Sequence, residues 1–267
     1  MKRGCVRMPY GKLIKFKQED YYGVVILDNA EKMNVVGDDF LDEMEELQRE
    51  ISATKGLRAL AIVANGNNFS AGIDLKQLHE ISSEKIKTGL TRIQGIYTFW
   101  QDLSIPVVIG VQGFCFGAAV ELMLACDIRV AAEDVKLTMP EVRFGLSPDM
   151  GGTTRLTKLV GAGHAKRIIL TCEEVDAQDA LNIGLVEKVV PAEQLREYTI
   201  GLAKKMSYYP PSSVAFAKKG INVAQESSIA AGLLFEQAQS TYCCGTEDIK
   251  EAISAFYEKR RPSFQGK

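Results

Sequence analysis

Apolar runs and helical patterns alternate along the first two thirds of the chain. Short runs rich in β-branched residues predict strands at residues 13–17, 23–27, 59–64, 107–111, 128–131 and 186–190. Apolar positions at helical spacing between these runs predict helices at residues 38–54, 86–103 and 118–126. Strands that alternate with helices indicate an α/β fold, in which helices pack on a parallel sheet.

The last third of the chain is predominantly helical in pattern. Helical spacing predicts helices at residues 177–183, 193–206, 212–224, 230–240 and 246–257, and Pro210 and Pro211 separate two of them. We therefore expect two regions, a core in residues 1–200 and a helical segment in residues 201–267. The segment either closes over its own core or packs on a neighbouring subunit.

Composition narrows the classes of function. The chain of 267 residues is 46% hydrophobic, which is enough for a full core, and 32 Lys and Arg residues against 34 Asp and Glu residues leave a formal charge of -2. This balance argues against nucleic acid or an acidic membrane as a partner. No signal-peptide pattern or membrane-spanning run is present. We expect a cytoplasmic protein whose six cysteines are reduced thiols and hold no metal.

Three carboxylates in largely apolar surroundings are the first candidates for chemistry. Glu121 follows Val120, Glu141 follows Pro140, and Asp149 precedes a Met-Gly-Gly run. Burial of such groups is costly unless they are paired, hydrogen-bonded or used for proton transfer. Each has a structural alternative, since Glu121 and Glu141 suit the first turn of a helix and Asp149 suits an N-cap. The group of three indicates acid–base chemistry more strongly than any single acid.

Two turns are candidates for holding an anion. Residues 65–76 follow the predicted strand 59–64, and residues 112–121 follow the predicted strand 107–111. Turns after neighbouring parallel strands meet at one sheet edge, where their free N–H groups would bind a single carbonyl oxygen. Taken alone, the first turn is better explained as an ordinary strand-to-helix turn with Asp74 near the helix start.

Other common chemistries have little support. The only histidines, His79 and His164, have no Ser or Cys nucleophile in an elbow motif, which argues against a hydrolase triad. No phosphate-binding or dinucleotide-binding glycine pattern is present. Asp127 precedes a predicted strand and is interpreted as a structural residue that bonds the backbone.

Five ordered motifs resemble the crotonase, or enoyl-CoA hydratase/isomerase, superfamily. They are residues 27–34, 69–74, 113–127, 140–156 and 255–260. The resemblance implies an α/β fold, a crotonase-like spiral of ββα units with a C-terminal helical segment. It also implies homotrimers that often pair into hexamers, and an acyl-CoA thioester as substrate. No separate cofactor is expected, because coenzyme A is part of the substrate.

The resemblance also assigns roles to individual residues. The backbone N–H groups of Ala71 and Ala118 would form the oxyanion hole, and Glu121 and Glu141 would be the catalytic pair. Residues 77–103 would line the acyl pocket. Phe256 and Lys259 match tail positions that can reach the coenzyme A of a neighbouring subunit. The complete set of implied substrate-binding residues is Lys32, Ala71, Gly72, Ile73, Asp74, Leu75, Lys76, Gly117, Phe256 and Lys259.

Two departures from the hydratase pattern concern the reaction. Gly117-Ala118-Ala119 stands where hydratases often have a glycine run, so the added methyl groups narrow the pocket. Asp149 stands where hydratases commonly have glycine. An aspartate at this position is found in dienoyl-CoA isomerases and in 4-chlorobenzoyl-CoA dehalogenase. The dehalogenase is disfavoured, because Glu141 occupies the position of its tryptophan.

Our hypothesis is an enoyl-CoA hydratase that adds water across the C2–C3 double bond, with Glu121 and Glu141 as the acid–base pair. Under this hypothesis, Asp149 shapes substrate choice or modifies proton transfer. The alternatives are a dienoyl-CoA isomerase that uses Glu141 and Asp149, or a non-catalytic acyl-CoA-binding or RNA-binding member of the fold.

Overall fold

The computed structural model describes residues 6–8 and 11–267. The strands in this part of the chain are β1 (Val6–Met8), β2 (Ile14–Glu19), β3 (Tyr22–Leu27), β4 (Ala59–Ala64), β5 (Val107–Val111), β6 (Phe114–Phe116), β7 (Ile128–Ala132), β8 (Lys136–Thr138), β9 (Val175–Asp176) and β10 (Lys188–Val190). The α-helices are α1 (Asp38–Ala53), α2 (Leu75–His79), α3 (Ser83–Asp102), α4 (Ala118–Leu124), α5 (Gly152–Thr171), α6 (Ala177–Asn182), α7 (Ala192–Ser207), α8 (Pro211–Ala224), α9 (Ile229–Cys244) and α10 (Glu247–Tyr257).

The larger sheet has the strand order β1-β2-β3-β4-β5-β7-β10. Its strands from β3 to β10 are parallel, as the alternating pattern predicted, with Ile62 of β4 opposite Val25 of β3 and Ile109 of β5. The β1–β2 and β2–β3 pairs are antiparallel, so the sheet is mixed and its β1–β3 edge departs from the predicted parallel arrangement. The reason is a tight turn at Asp20, whose φ of 52° lets β2 and β3 form a hairpin.

A smaller sheet of order β6-β8-β9 positions the site and was not predicted. Its strands are two or three residues long, which is too short for an alternating pattern to be visible. β6 and β8 are parallel, and Phe116 lies opposite Thr138. The Gly117 N–H donates to the Thr138 carbonyl oxygen at 2.8 Å, so the segments that carry Glu121 and Glu141 leave this sheet side by side.

The two faces of the larger sheet carry different helices. One face packs against α1, α3, α4 and α5 around large buried side chains such as Trp100, Tyr97 and Phe69. The other face packs against α7, where Ala203 and Leu195 meet Val24 and Val63. The core therefore lies on both sides of one sheet, with the site at its α4 and α5 end.

The C-terminal helices differ from one another in how they are attached. Lys218 of α8 is buried, and its Nζ donates to the carbonyl oxygens of Trp100 and Ile105 and to Asp127 Oδ2 at 2.7–3.0 Å. Asp127 also accepts the Val107 N–H, which supports its predicted structural role. By contrast, every residue of α9 is at least partly exposed. The predicted division at residue 200 stays a prediction.

Two further findings concern predictions made from composition. The described cysteines are free thiols, whereas Cys5 lies outside the described residues. Within residues 6–8 and 11–267, no helix is both long enough and apolar enough to cross a membrane.

Candidate active site

The two predicted anion-holding turns are in direct contact. The Ser70 N–H donates to the Phe114 carbonyl at 3.0 Å, and the Phe116 N–H donates back to the Ser70 carbonyl at 3.1 Å. Gly72 has a φ of 82°, and a Cβ at this position would lie 2.5 Å from the Phe116 carbonyl oxygen and 3.8 Å from the Ala118 nitrogen. Glycine is required here because both the backbone conformation and the close approach exclude a side chain.

Hydrogen bonding within the first turn determines which N–H group is free. The Ala71 N–H donates to the Met33 carbonyl oxygen at 3.0 Å, so it is not a free donor and its predicted role in the oxyanion hole is corrected. The Gly72 N–H is also occupied, by Ser70 Oγ at 3.1 Å. The next N–H group, that of Ile73, has no acceptor among the described residues.

The free donors are therefore those of Ile73 and Ala118. Val36 pairs with Ile73 through the Gly72 carbonyl and the Asp74 N–H, which leaves the Ile73 N–H on the opposite side of the chain. Ala118 is the first residue of α4, and its N–H has no acceptor in the described part of the chain. Two unpaired donors on touching turns form a site for a carbonyl oxygen that gains negative charge.

Glu121 lies in the first turn of α4 and is almost fully buried, with 2% of its surface exposed. Its Oε1 accepts the N–H groups of Met150 at 2.9 Å and Gly152 at 2.7 Å. Burial, together with the charges of Glu141 and Asp149, raises the pKa of Glu121 to about 7, although the two hydrogen bonds act in the opposite direction. Glu121 is thus a fixed carboxylate that titrates near neutrality.

Arg155 fixes the loop that holds Glu121. Its Nη1 donates to the Met150 carbonyl at 3.0 Å, while Nε donates to Gln101 Oε1 and Nη2 to Thr98 Oγ1, both at 2.8 Å. Burial lowers the pKa of Arg155, and the charge of Glu121 opposes that shift. Sequence reasoning missed Arg155; the signal that could have found it was a cation shortly after the Gly-Gly pair that follows Asp149.

Glu141 begins a 3-10 helix directly after Pro140, in agreement with the predicted loop or helix start. Its Oε2 is buried and has no hydrogen-bond partner among the described residues. Its Oε1 lies over Gly117, because a Cβ on that residue would be 2.7 Å from this oxygen. Burial first, and the charge of Asp149 second, raise the pKa of Glu141 to about 7.

Asp149 completes the group of acids. It is not the predicted N-cap of the following helix, because Gly151 occupies that position with a φ of 113°. Asp149 is partly buried, and burial raises its pKa. Its charge acts on both Glu121 and Glu141, so the fold brings together the three acids that are separate in sequence. Their titrations are coupled.

The remaining predicted substrate-binding residues fall into two sets. Near the first turn, Lys32, Leu75 and Lys76 are exposed. Asp74 is half-buried and accepts the Lys76 N–H at 2.9 Å as the N-cap of α2, which is the structural role foreseen for it. Phe256 and Lys259 lie on the exposed tail. No hydrogen bond, ion pair or aromatic contact joins these two residues to the three acids in the described part of the chain.

A pair of oxyanion donors beside several carboxylates is typical of the active site of an enzyme that transfers protons to or from carbons next to a carbonyl group. The sequence profile of the family described as enoyl-CoA hydratase/isomerase matches residues 19–267. The chain therefore belongs to the enoyl-CoA hydratase/isomerase family, and its architecture is the crotonase fold.

Individual relatives agree with this assignment. The chain is 34% identical over 247 residues to the short-chain-enoyl-CoA hydratase of Clostridium acetobutylicum, with 92% of this chain and 94% of the relative covered. It is 35% identical over 241 residues to the 2,3-dehydroadipyl-CoA hydratase of Escherichia coli, with 90% of each covered. A solved structure of an enoyl-CoA hydratase from Bacillus anthracis has a TM-score of 0.91 and 31% identity, and covers 96% of this chain and 100% of that one.

Proposed function

We propose that this protein is an enoyl-CoA hydratase that converts 2-enoyl-CoA thioesters into 3-hydroxyacyl-CoA thioesters. The observation that carries the proposal is the contrast between its two glutamates. Glu121 is held through Oε1 by two backbone N–H groups, whereas Glu141 keeps a buried oxygen that has no partner among the described residues. A buried unpaired carboxyl oxygen is costly unless a bound water or substrate completes its hydrogen bonding.

The thioester carbonyl oxygen would accept the N–H groups of Ile73 and Ala118. These donors draw electrons away from the double bond, so that C3 becomes open to attack and the resulting enolate oxygen is stabilised. Loss of one such donor typically reduces the rate about a hundredfold or more. Both donors are fixed by secondary structure and need no rearrangement when charge develops.

The two glutamates would divide the proton transfers. The hydrogen bonds that Glu121 accepts favour its ionised form, so this carboxylate takes a proton from water as the water oxygen bonds to C3. Glu141, protonated, gives its proton to C2 as the electrons of the double bond move to that carbon. One proton then passes from Glu121 to Glu141, which restores the starting state.

The proposed coenzyme A contacts and the proposed assembly follow from the family resemblance. Lys32 and the exposed part of the first turn would bind coenzyme A. The assembly would be a homotrimer or a dimer of trimers, in which Phe256 and Lys259 of one subunit approach the coenzyme A of the next. The exposed apolar residues of α9, Ile229 and Leu234 among them, support such an assembly. The free cysteines of the described residues support a cytoplasmic location.

Hydration of crotonyl-CoA, followed as loss of the 2-enoyl absorbance, tests the proposal. The purified chain is expected to consume the enoyl group, and Glu121→Gln and Glu141→Gln are each expected to lower kcat about 100- to 10,000-fold, as for loss of a general acid or base. Glu197→Gln, which changes an exposed carboxylate on α7, is the matched control and should leave kcat unchanged.

A different outcome would identify the alternative reaction. If the enoyl absorbance persists while a 3,5-dienoyl-CoA is isomerised, and if Asp149→Asn abolishes that isomerisation, the hydratase proposal is overturned in favour of a dienoyl-CoA isomerase. Glu141 and Asp149 would then be its acid–base pair.

A further inference from the structure

Tyr97 places an unpaired hydroxyl group beside the catalytic acids. The residue belongs to α3 and has 1% of its surface exposed. Its hydroxyl group has no hydrogen-bond partner among the described residues. Buried tyrosine hydroxyl groups usually find a partner, since an unmade hydrogen bond in the interior is destabilising. The Tyr97 hydroxyl group is therefore a buried donor whose hydrogen bond the described residues leave unmade.

The position of Tyr97 follows from the contacts of its helix. Gln94, one turn earlier, donates to the Asp149 carbonyl at 2.7 Å, and Thr98 and Gln101 accept from Arg155 at 2.8 Å. Tyr97 lies between these residues on α3, so it faces the region where the Asp149–Arg155 segment meets the helix. Burial raises the pKa of Tyr97, and the charges of Glu121 and Asp149 add to this shift, which agrees with that position.

Asp149 has unused hydrogen-bonding capacity in the same region. It is partly buried, and its carboxylate oxygens accept no hydrogen bond from another residue of the described chain. The site thus contains one unpaired donor, the Tyr97 hydroxyl group, and one acceptor that is bonded only by its own backbone N–H, the Asp149 carboxylate. Neither group is needed for the hydration step described above.

Three kinds of acyl group can be compared with this pair. A plain alkyl chain would leave both groups unpaired, and an anionic chain would meet the charges of three acids. A neutral hydroxyl group on the acyl chain would satisfy both, because its oxygen accepts from Tyr97 while its O–H donates to Asp149. The complementary chemistry is that of an alcohol.

We propose that Tyr97 and Asp149 form a polar subsite of the acyl pocket that selects 2-enoyl-CoA thioesters carrying a neutral hydroxyl group on the acyl chain. This inference rests on the proposed hydratase function and specifies its substrate class. A subsite built to bond a hydroxyl group discriminates strongly against an analogue that lacks it, since the buried polar groups are then left unpaired.

Paired substrates of equal size test the proposal. In trans-4-hydroxybut-2-enoyl-CoA a hydroxyl group replaces the terminal methyl group of trans-pent-2-enoyl-CoA, and 5-hydroxypent-2-enoyl-CoA and hex-2-enoyl-CoA form the same pair one carbon longer. In at least one pair, kcat/KM is expected to favour the hydroxyl ester by about tenfold or more. Glutaconyl-CoA, which ends in a carboxylate, should be the poorest substrate.

Variants assign the preference to its residues. Tyr97→Phe is expected to reduce the ratio of kcat/KM for the preferred pair about tenfold, and Asp149→Asn to reduce it in the same direction. Tyr198→Phe, a partly exposed tyrosine of α7, is the matched control and should leave the ratio unchanged. Thermal unfolding checks that Tyr97→Phe, which removes only an unpaired hydroxyl group, is folded.

Two negative outcomes are distinguishable. Hydration of both alkyl esters without a hydroxyl preference, or a preference that Tyr97→Phe leaves unchanged, overturns the polar subsite and leaves the hydratase proposal standing. No hydration of any of the five esters overturns the hydratase proposal itself, and the subsite inference falls with it.

Discussion

The surroundings of Glu121 and those of Glu141 differ in how tightly they hold a carboxylate. Glu121 is fixed by two backbone N–H groups on a loop that Arg155 in turn fixes through the Met150 carbonyl. Glu141 begins a short 3-10 helix, and one of its oxygens is buried without a partner among the described residues. Both carboxyl groups nevertheless have pKa values of about 7.

This difference separates two ways of preparing a carboxyl group for proton transfer. Hydrogen bonds from the N–H groups of Gly152 and Met150 lower the pKa of Glu121 and offset part of the effect of burial. The pKa of Glu141 is raised by burial and by the charge of Asp149, and only its own backbone N–H acts in the opposite direction. Two acids with similar pKa values but different surroundings can serve as base and acid in the same turnover. Variants on each side of the site probe that contrast.

The largest effect is expected from Gly117→Ala, which acts on the Glu141 side. Gly117 has a φ of 50°, and the new methyl group would lie 2.7 Å from Glu141 Oε1, so the carboxyl group must move. Displacement of a catalytic group by about 1 Å can cost about a hundredfold in rate. We expect kcat for crotonyl-CoA to fall by about that factor or more, measured at saturating substrate.

Gly184→Ala is the control for backbone strain. Gly184 has a φ of 73° with open space around it, so alanine there is strained without touching the site. Equal losses of kcat in the two variants would show that strain, and not displacement of Glu141, explains the effect.

An intermediate effect is expected from Arg155→Met, which acts on the Glu121 side. The change removes the contact with the Met150 carbonyl and a nearby positive charge, so Glu121 becomes less well placed and its pKa rises. We expect kcat to fall about tenfold. Because Glu121 acts as the base, the acidic limb of the pH profile of kcat should move to higher pH.

Lys158→Met, one turn farther along α5, removes an exposed cation and should leave both kcat and the pH profile unchanged. Arg155→Lys keeps a charge and should preserve the acidic limb better than Arg155→Met does. A loss of kcat with an unmoved acidic limb would contradict the role of Arg155 in setting the charge state of Glu121.

The smallest effect is expected in Glu121→Gln, and it concerns the pH dependence of the free energy of unfolding. The pKa of Glu121 is about 7 in the folded state against an ordinary value of 4.5. Between pH 4.5 and pH 7 the folded state therefore binds more protons than the unfolded state. The free energy of unfolding therefore falls as pH rises from 4.5 to 7, and the full penalty is present above that range. Glutamine does not titrate and keeps an oxygen for the two backbone N–H groups.

Urea unfolding at fixed protein concentration, near pH 5 and near pH 8, measures this difference. Relative to the unsubstituted chain, Glu121→Gln should be more stable near pH 8 than near pH 5. The opposite order would mean that the ionised form of Glu121 is not penalised in the folded state.

The fold was predictable from the sequence where a single continuous apolar stretch determines a strand. The predicted strands at residues 59–64 and 107–111 match β4 and β5 to the residue, because each is a buried apolar run between breaks in the pattern. The strands of the smaller sheet were missed. They are held by pairing across long sequence separations, such as that of β6 with β8, which leaves no local periodicity.

The site was predictable as a group of acids but not in its hydrogen bonding. Sequence position was enough to select Glu121, Glu141 and Asp149, since acids in apolar surroundings are unusual. The choice of Ala71 as donor was wrong because the Met33 carbonyl, supplied by a distant segment, occupies its N–H. The sequence motif assigns Ile73 only to substrate binding, and no local signal shows which N–H of a turn remains free.

The buried Lys218 has a consequence for where this protein can be divided. Its Nζ neutralises Asp127, which is itself largely buried beside β5. A chain cut at residue 200 would lack Lys218 and leave that carboxylate without its counter-ion beneath the sheet. The helical segment, residues 201–267, follows the core in sequence. Through Lys218 it nevertheless supplies the positive charge that pairs with a carboxylate of the core. An expression boundary that keeps the core intact has to lie beyond α8.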